Sequence, residues 1–445
     1  MRNKVNFTSL GCPRNLVDSE VMLGILLKAG YEVTEAIDDA DYLVVNTCGF
    51  LDSSREESKQ AIADLLETKK ESAKLVVTGC MVSKHRHEIE DAFPGVHYLL
   101  GSGDVEGILK AVQSDTQGLQ IGSARSYLEA GEIPRMISTP SHYSYLKIAE
   151  GCRKACAYCI IPAIKGPLRS KPTDQILKEF RSLLAQGVKE IILIAQDLGD
   201  YGKDRGNRKG SLCPLLKEIL KIEGDYWLRL LYLYPDEIDD ELIALMKADR
   251  RLLPYLDMPI QHINDEMLEA MKRTTSAEQI KEVITHLRKE IPDVHIRTSL
   301  IVGFPGETED QFQELTAFLK EFPLNHVGIF KYSREEGTVA GKMENQISDK
   351  IKETRHSRLA AVQQEVIAKL NQKMVGQILT VVVEKYHPET DLLLVGRYFG
   401  QCPEIDGQVI LNDWQKVEAF GERYLVEITD SAGYDLVGTV LKPIF

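Results

Sequence analysis

The sequence predicts a multidomain α/β protein: an N-terminal parallel α/β sheet domain, an open partial (βα)6 barrel and a small five-stranded C-terminal β-barrel. Three observations predict it. Short apolar strands alternate with helix-period segments through the first 125 residues, and again from 145 to about 332. Past residue 375 the helical period stops, and apolar or alternating runs follow with Gly between them. A length of 445 residues is enough for two or three domains.

Val5–Leu10 reads as a strand, Gly11-Cys12-Pro13 as a turn, and Asp18 to Ala29 as a helix ended by Gly30. Tyr42–Asn46 is a buried strand followed by Thr47-Cys48-Gly49. Ser53 or Ser54 is expected to cap the next helix, through Leu65. Leu75–Thr78 is a third strand, followed by Gly79-Cys80. Loops after parallel strands all leave at the carboxyl edge, where ligands bind. Cys12, Cys48 and Cys80 are therefore either gathered there or are three separate small core residues. Residues from Gly122 to Ser144 are polar and irregular, with Pro134 and Pro140, and read as a linker. The expected divisions are 1–125, a linker at 126–144, 145–373 and 375–445.

Six strands are expected in the middle division: Tyr145–Ala149, Glu190–Ile194, Leu228–Leu231, Tyr255–Met258, Ile296–Val302 and His326–Phe330. Reactive groups of such barrels sit in the loops after the strands. Those loops hold Cys152, Cys156 and Cys159, then Gln196 and Asp197, Tyr234, Gln261 and His262, Gly303-Phe-Pro-Gly-Glu307, and Lys331-Tyr-Ser333. His262 reads as either a satisfied structural residue or a catalytic one. Gly303 either makes a tight turn or lets backbone approach a ligand. Arg297 lies within a strand, where it could pair with a ligand carboxylate; Gln196 is similar. A helix from about Asp349 to Lys373 leads to the C-terminal strands Ile378–Glu384, Leu392–Arg397, Gln408–Leu411, Arg423–Thr429 and Asp435–Val440.

The most informative stretch is Glu150-Gly-Cys-Arg-Lys-Ala-Cys-Ala-Tyr-Cys159, a C-x3-C-x2-C run. Tetrahedral zinc takes four protein ligands, usually from two knuckles. A cubane iron–sulfur cluster held by three thiolates keeps one iron open for another ligand. A zinc knuckle completed from a distance, or simple buried thiols, are the alternatives. The N-terminus lacks the apolar run of a signal peptide, and no stretch is long and apolar enough to span a bilayer. A cytoplasmic protein is expected, and there eight cysteines point to metal binding or catalysis rather than disulfides. Cys213 and Cys402, each without cysteine neighbours, read as structural.

With Tyr158 before its last cysteine, this run resembles the signature of radical S-adenosylmethionine (SAM) enzymes. Its flanks, Tyr145-Leu-Lys-Ile-Ala-Glu-Gly-Cys152, Cys159-Ile-Ile-Pro, Gly166 and Arg169-Ser-Lys-Pro172, resemble the methylthiotransferase family. So do Leu10-Gly-Cys-Pro-Arg-Asn-Leu-Val-Asp-Ser-Glu20, Asn46-Thr-Cys-Gly-Phe50 and Thr78-Gly-Cys80. The resemblance implies two 4Fe–4S clusters, one on Cys152, Cys156 and Cys159 that chelates SAM, the other on Cys12, Cys48 and Cys80. It implies reductive SAM cleavage to a radical that abstracts hydrogen, and transfer of a methylthio group built with a second SAM. Tyr158, Gln196, Arg297 and Gly303 are the residues expected at SAM. Residues 375–445 resemble the TRAM domain, an OB-like barrel usually assigned to RNA binding.

One branch of that family modifies an adenosine of tRNA, the other the β-carbon of an aspartate in small-subunit ribosomal protein S-twelve. Leu193-Ile-Ala-Gln-Asp197, Leu253-Pro-Tyr-Leu-Asp-Met-Pro-Ile-Gln-His262 and Cys402-Pro-Glu-Ile-Asp-Gly407 resemble the second branch. Two departures from its pattern are Ile263-Asn-Asp265 and Cys402; neither touches a cysteine expected to bind a cluster. Charge agrees independently. Residues 375–445 carry five basic and eleven acidic side chains, whereas an RNA-binding barrel needs a basic groove. An acidic barrel suits a basic protein, so tight nucleic-acid binding by it is not expected. Partners implied are protein S-twelve, an electron donor such as flavodoxin or ferredoxin, and a sulfur donor. A tRNA methylthiotransferase, or a non-enzymatic iron–sulfur or zinc scaffold on the ribosome, are the competing functions.

Overall fold

The structure, a computed structural model, describes residues 3–122, 127–129, 134–207 and 209–444. The first part runs β1 (Lys4–Ser9), α1 (Pro13–Lys28), β2 (Glu32–Val33), β3 (Tyr42–Thr47), α2 (Asp52–Thr68), β4 (Lys74–Gly79), α3 (Cys80–Ala92), β5 (Tyr98–Gly101), α4 (Ile108–Gln113) and β6 (Gly118–Gln120). Its sheet is parallel, in the order β2-β1-β3-β4-β5-β6. The three expected strands are its central neighbours β1, β3 and β4. The other three are two to four residues long, too short for a periodicity signal.

Helix α1 starts at Pro13, five residues before the expected Asp18. Cys12 is its N-cap and Pro13 fills the first turn, where a missing N–H costs nothing. The early turns were hard to see because they are polar, yet Asn15, Asp18, Ser19 and Glu20 are all buried. Helix α2 begins at Asp52 with Leu51 as N-cap and no side-chain cap bond, so neither Ser53 nor Ser54 caps it.

The middle part runs β7 (Tyr143–Lys147), β8 (Ala149–Glu150), α5 (Ile161–Lys165), β9 (Arg169–Ser170), α6 (Thr173–Ala185), β10 (Glu190–Ile194), α7 (Leu212–Leu220), β11 (Trp227–Leu230), α8 (Asp240–Ala248), β12 (Leu252–Asp257), α9 (Asp265–Ala270), α10 (Ala277–Glu290), β13 (His295–Val302), α11 (Glu309–Glu321), β14 (His326–Lys331) and α12 (Asp349–Gln372). Six parallel strands follow in sequence order from β7 to β14 and form an open sheet. Strand β12 starts three residues before the expected Tyr255. Its Pro254 falls where the pairing with β11 shifts register, a place that tolerates a missing N–H. The main core lies between this sheet and its outer helices, with Phe180, Leu216, Leu256 and Phe312 fully buried.

The C-terminal strands β15 (Ile378–His387), β16 (Thr390–Tyr398), β17 (Val409–Asp413), β18 (Arg423–Ala432) and β19 (Asp435–Pro443) close a five-stranded barrel. It seats on the amino edge of the middle sheet. Glu190, the first residue of β10, accepts from Arg229 at 2.6 Å and from Arg397 of β16 at 2.9 Å. Arg229 also donates to the Phe399 carbonyl at 2.8 Å. Tyr143 donates to Glu404 and Tyr255 to Asp406. Cys402 is fully buried in this contact, among Tyr145, Leu231 and Val382.

His295, first residue of β13, pairs with the Tyr398 hydroxyl at 2.9 Å and with the Asp293 carbonyl. Burial, with His326 and Arg229 nearby, lowers its pKa to about 4. The unfolded chain protonates this imidazole near pH 6.5, while the folded chain keeps it neutral to about pH 4. The unfolded state thus holds more protons in that window, and stability falls as pH drops through it. Full expression of the shift is worth about 3 kcal/mol. Replacing His295 with Gln is expected to flatten urea midpoints between pH 6.5 and 4; an unchanged slope would assign the acid sensitivity to another group.

The expected linker at 126–144 lies partly outside the described residues. Its described portion is tied down rather than free. Arg135 is buried between Glu20 of α1 (2.5 Å) and Glu179 of α6 (2.7 Å), and Ser138 donates to Glu20. Among the described residues, no helix is long and apolar enough to cross a membrane.

Candidate metal and cofactor site

The two cysteine trios occupy the carboxyl edges of two parallel sheets. Cys12, Cys48 and Cys80 follow the adjacent strands β1, β3 and β4. Two glycines make their approach possible. Gly11 has φ +90°, and a Cβ there would lie 2.9 Å from Cys48 Cβ. Gly79 has φ +103°, and its Cβ position is taken by the Asn46 side chain. Side-chain bonds hold the loops. Asn15 donates to the Leu10 carbonyl, Asn46 to the Asn15 carbonyl, Thr47 to the Thr78 carbonyl, and Ser58 to the Cys48 carbonyl.

The second trio lies on the loop between β8 and α5. Gly151 (φ +76°) leads into it against the Pro167 carbonyl. Ala157 is held on both sides: its N–H donates to the Met271 carbonyl at 2.9 Å, and its carbonyl accepts from Ala340 N–H at 2.8 Å. Lys154 anchors the first half through Glu237 (3.0 Å) and Asp197 (3.3 Å), lying over the Tyr234 ring. Cys156 Sγ is 3.1 Å from the Tyr234 hydroxyl and 3.8 Å from Arg273 Nη1. Arg273 stacks on Tyr234 and donates to the Pro259 carbonyl. Tyr158 packs with Phe304, Met271 and Tyr332.

Burial pushes the Cys152 thiol up to about 11, and the Cys159 and Cys80 thiols up to about 12. Burial also opposes ionisation of Cys12, but the Arg14 guanidinium, the Asn15 N–H and Lys165 together outweigh it and bring that thiol below its usual value. Thiols held this high ionise only when a metal displaces the proton. Among the described residues, the groups of three or more possible ligands gathered within 4.8 Å are Cys213–Asp239–Glu241 and Asp197–Asp200–Glu237. Neither cysteine trio is among them. Thiolates on one tetrahedral zinc stand roughly 3.8 Å apart, given a Zn–S bond of about 2.3 Å. Each trio offers three thiols, one short of the four protein ligands that a structural zinc takes. Cys213, beside Asp239 and Glu241, and Cys402, inside the C-terminal seat, leave each trio at three thiols.

Of the residues expected at SAM, two stay near thiols and two do not. Tyr158 lies in the cysteine loop. Gln196 lines a cavity of about 330 Å³ with Cys12, Cys48 and Cys80, and its Oε1 is buried without a hydrogen-bond partner. Arg297 is instead committed within the protein, to Asp257 at 2.8 Å and Asp406 of the C-terminal barrel at 3.6 Å. It lies near the amino end of β13, where inward charges meet the barrel seat. Gly303 belongs to the turn: its N–H donates to Glu307 at 2.6 Å, and the Lys352 stem covers its face. His262 is fully buried and pairs with that same Glu307 at 3.2 Å. Sequence reasoning missed Arg273 and Lys165. Arg273 follows a helix rather than a strand, and nothing local marks it. Lys165 lies six residues past Cys159, and the spacing to that cysteine was the available signal.

Comparison with known proteins agrees with this geometry. Residues 4–101 match the family described as Uncharacterized protein family UPF0004, residues 146–319 the Radical SAM superfamily, and residues 375–441 the TRAM domain. The protein named ribosomal protein uS12 methylthiotransferase RimO from Protochlamydia amoebophila is 66% identical, over 99% of this chain and 93% of its own. Its namesake from Bdellovibrio bacteriovorus is 44% identical, over 98% of this chain and 97% of its own. Among solved structures, the radical SAM methyltransferase TsrM from Kitasatospora setae, with cobalamin and a 4Fe–4S cluster bound, aligns with a TM-score of 0.56. It covers 77% of each chain at 16% identity, a likeness of fold. Identity of this extent along nearly the whole length places the chain in the RimO family of radical SAM methylthiotransferases.

Proposed function

We propose that this protein methylthiolates the β-carbon of an aspartate in ribosomal protein uS12, using two SAM per turnover and two 4Fe–4S clusters. The observation that carries the reading is the pair of three-thiol sites, each on the carboxyl edge of its own parallel sheet, in a chain with such relatives. Cys152, Cys156 and Cys159 would hold the SAM-binding cluster, and Cys12, Cys48 and Cys80 the second. The donor sets fit: three free thiols each, which leave one iron of a cubane open. When bound, these groups supply reductive SAM cleavage with hydrogen abstraction, and an iron site for the incoming sulfur.

The chain's own residues position and enclose. Lys154, Met271 and Ala340 fix the loop of the first trio. Arg273 and Tyr234 place a positive charge and a hydroxyl beside Cys156. The C-terminal barrel closes the amino edge of the middle sheet and keeps water from that end of it. Its surface keeps exposed acidic side chains, among them Glu389 in the β15–β16 turn, Asp391 of β16 and Asp413 of β17, suited to a basic ribosomal protein. An external electron donor of flavodoxin or ferredoxin type and a sulfur donor complete the reaction, in the cytoplasm.

The test is anaerobic incubation of reconstituted enzyme, dithionite and SAM with uS12 and with bulk tRNA, followed by mass spectrometry of both. A methylthio gain on the uS12 aspartate is expected. The same gain on tRNA alone would keep the chemistry and overturn the substrate.

A further inference from the structure

We propose that Arg14 is the residue that receives the side-chain carboxylate of the substrate aspartate. The inference rests on the aspartate reading above and gives it a recognition element. Arg14 lines the 330 Å³ cavity beside Cys12, Cys48, Cys80 and Gln196. It is fixed from the barrel side: Nη1 donates to the Ala195 carbonyl after β10 at 3.0 Å, and the guanidinium lies 4.9 Å from the Tyr232 ring centre.

Charge accounting singles it out. The other cation on this cavity, Lys165, has its countercharge: it pairs with Glu150 at 2.8 Å and Asp18 at 3.1 Å, two carboxylates that it shares with Lys147. Among the described residues, no carboxylate pairs with Arg14; its contacts are a carbonyl, a ring and the Cys12 thiol. A guanidinium carries five N–H donors in a planar fork that matches a carboxylate, and most of this fork is unspent. The residue lines the cavity, and Nη1 is the nitrogen that the Ala195 carbonyl takes.

The chemistry of the substrate supplies the missing partner. The carbon to be modified is bonded directly to the carboxyl carbon. A carboxylate held by Arg14 therefore presents that carbon to the cavity walled by the first trio, where the sulfur must be delivered. An asparagine or a nucleobase offers no anion there, so Arg14 would select for the acid. The competing role is support of the Cys12 thiolate, which would be indifferent to substrate charge.

The experiment compares peptides spanning the uS12 aspartate with Asp or Asn at that position. Each displaces a labelled Asp peptide from cluster-loaded enzyme, wild type, Arg14→Gln or Arg14→Lys. A ratio of affinities cancels any inactive fraction. Wild type is expected to prefer Asp by about 100-fold, the scale of charge-assisted hydrogen bonds. Arg14→Gln is expected to bring the preference to within about threefold and Arg14→Lys to retain about tenfold. An unchanged preference in Arg14→Gln, or no preference in wild type, would overturn the proposal. If wild type modifies tRNA and not the uS12 aspartate, the substrate reading itself fails, and this inference with it.

Discussion

Cys156→Ala is expected to abolish formation of 5′-deoxyadenosine from SAM, a loss of several orders of magnitude. Cys48→Ala is expected to lose methylthiolated product while 5′-deoxyadenosine still forms. The contrast follows from geometry. Cys156 belongs to the loop pinned between Met271 and Ala340, and Cys48 to the edge of a different sheet. With one thiol of three removed, a cluster site keeps two ligands, too few to hold its metal. Chromatography of the nucleoside and mass spectrometry of the protein substrate read the two steps separately. Methylthio product from Cys48→Ala would remove the first trio from the transfer step.

Glu190→Ala is expected to cost about 3–5 kcal/mol of stability, the scale for leaving a buried charge unpaired. Glu190 is 2% exposed. Burial alone would raise its pKa, but Arg229 and Arg397 hold it below the usual carboxylate range. Without it, two buried guanidinium groups lose their shared carboxylate across the seat of the C-terminal barrel. Arg397 keeps Glu384 at 2.7 Å, whereas Arg229 keeps only a carbonyl and the Tyr255 ring. Urea unfolding gives the magnitude, and limited proteolysis should release residues past 375 faster. The surface pair Lys217–Glu241, half exposed on both sides, is the control. Glu241→Ala should shift stability by less than about 1 kcal/mol. Equal effects from both would mean that the seat is hydrated and its charges already screened.

The strands with strong apolar runs were legible in the sequence, and so was the placement of all six cysteines after strands. Both follow from local rules: period-two or continuous apolar runs make strands, and loops after parallel strands share an edge. What stayed hidden is non-local. The start of α1 is polar because it faces charged groups 115 to 147 residues away, as Glu20 does Arg135 and Asp18 does Lys165. No window of sequence contains that reason. Arg297 has partners of the same non-local kind. Its position inside a strand suggested an inward charge seeking a ligand, and its partners proved to be Asp257 and a residue of another barrel, Asp406. Gly303 was ambiguous because a turn and a ligand approach demand the same backbone freedom. In the structure the Lys352 stem lies over it.

The buried charges that bridge the three sheets bear on modularity. The chain reads as three cassettes, and exchanging the last of them between relatives is an obvious way to redirect such an enzyme. Yet the joints are ionic. Arg397 and Glu384 belong to the cassette being moved, while Glu190, Arg229 and His142 stay behind. Asp18 and Lys147 divide the other joint in the same manner. A chimera that transplants a barrel without its opposite charges inherits orphaned ions at the graft. Successful recombination would therefore cut inside the loops but carry the paired residues across as a set.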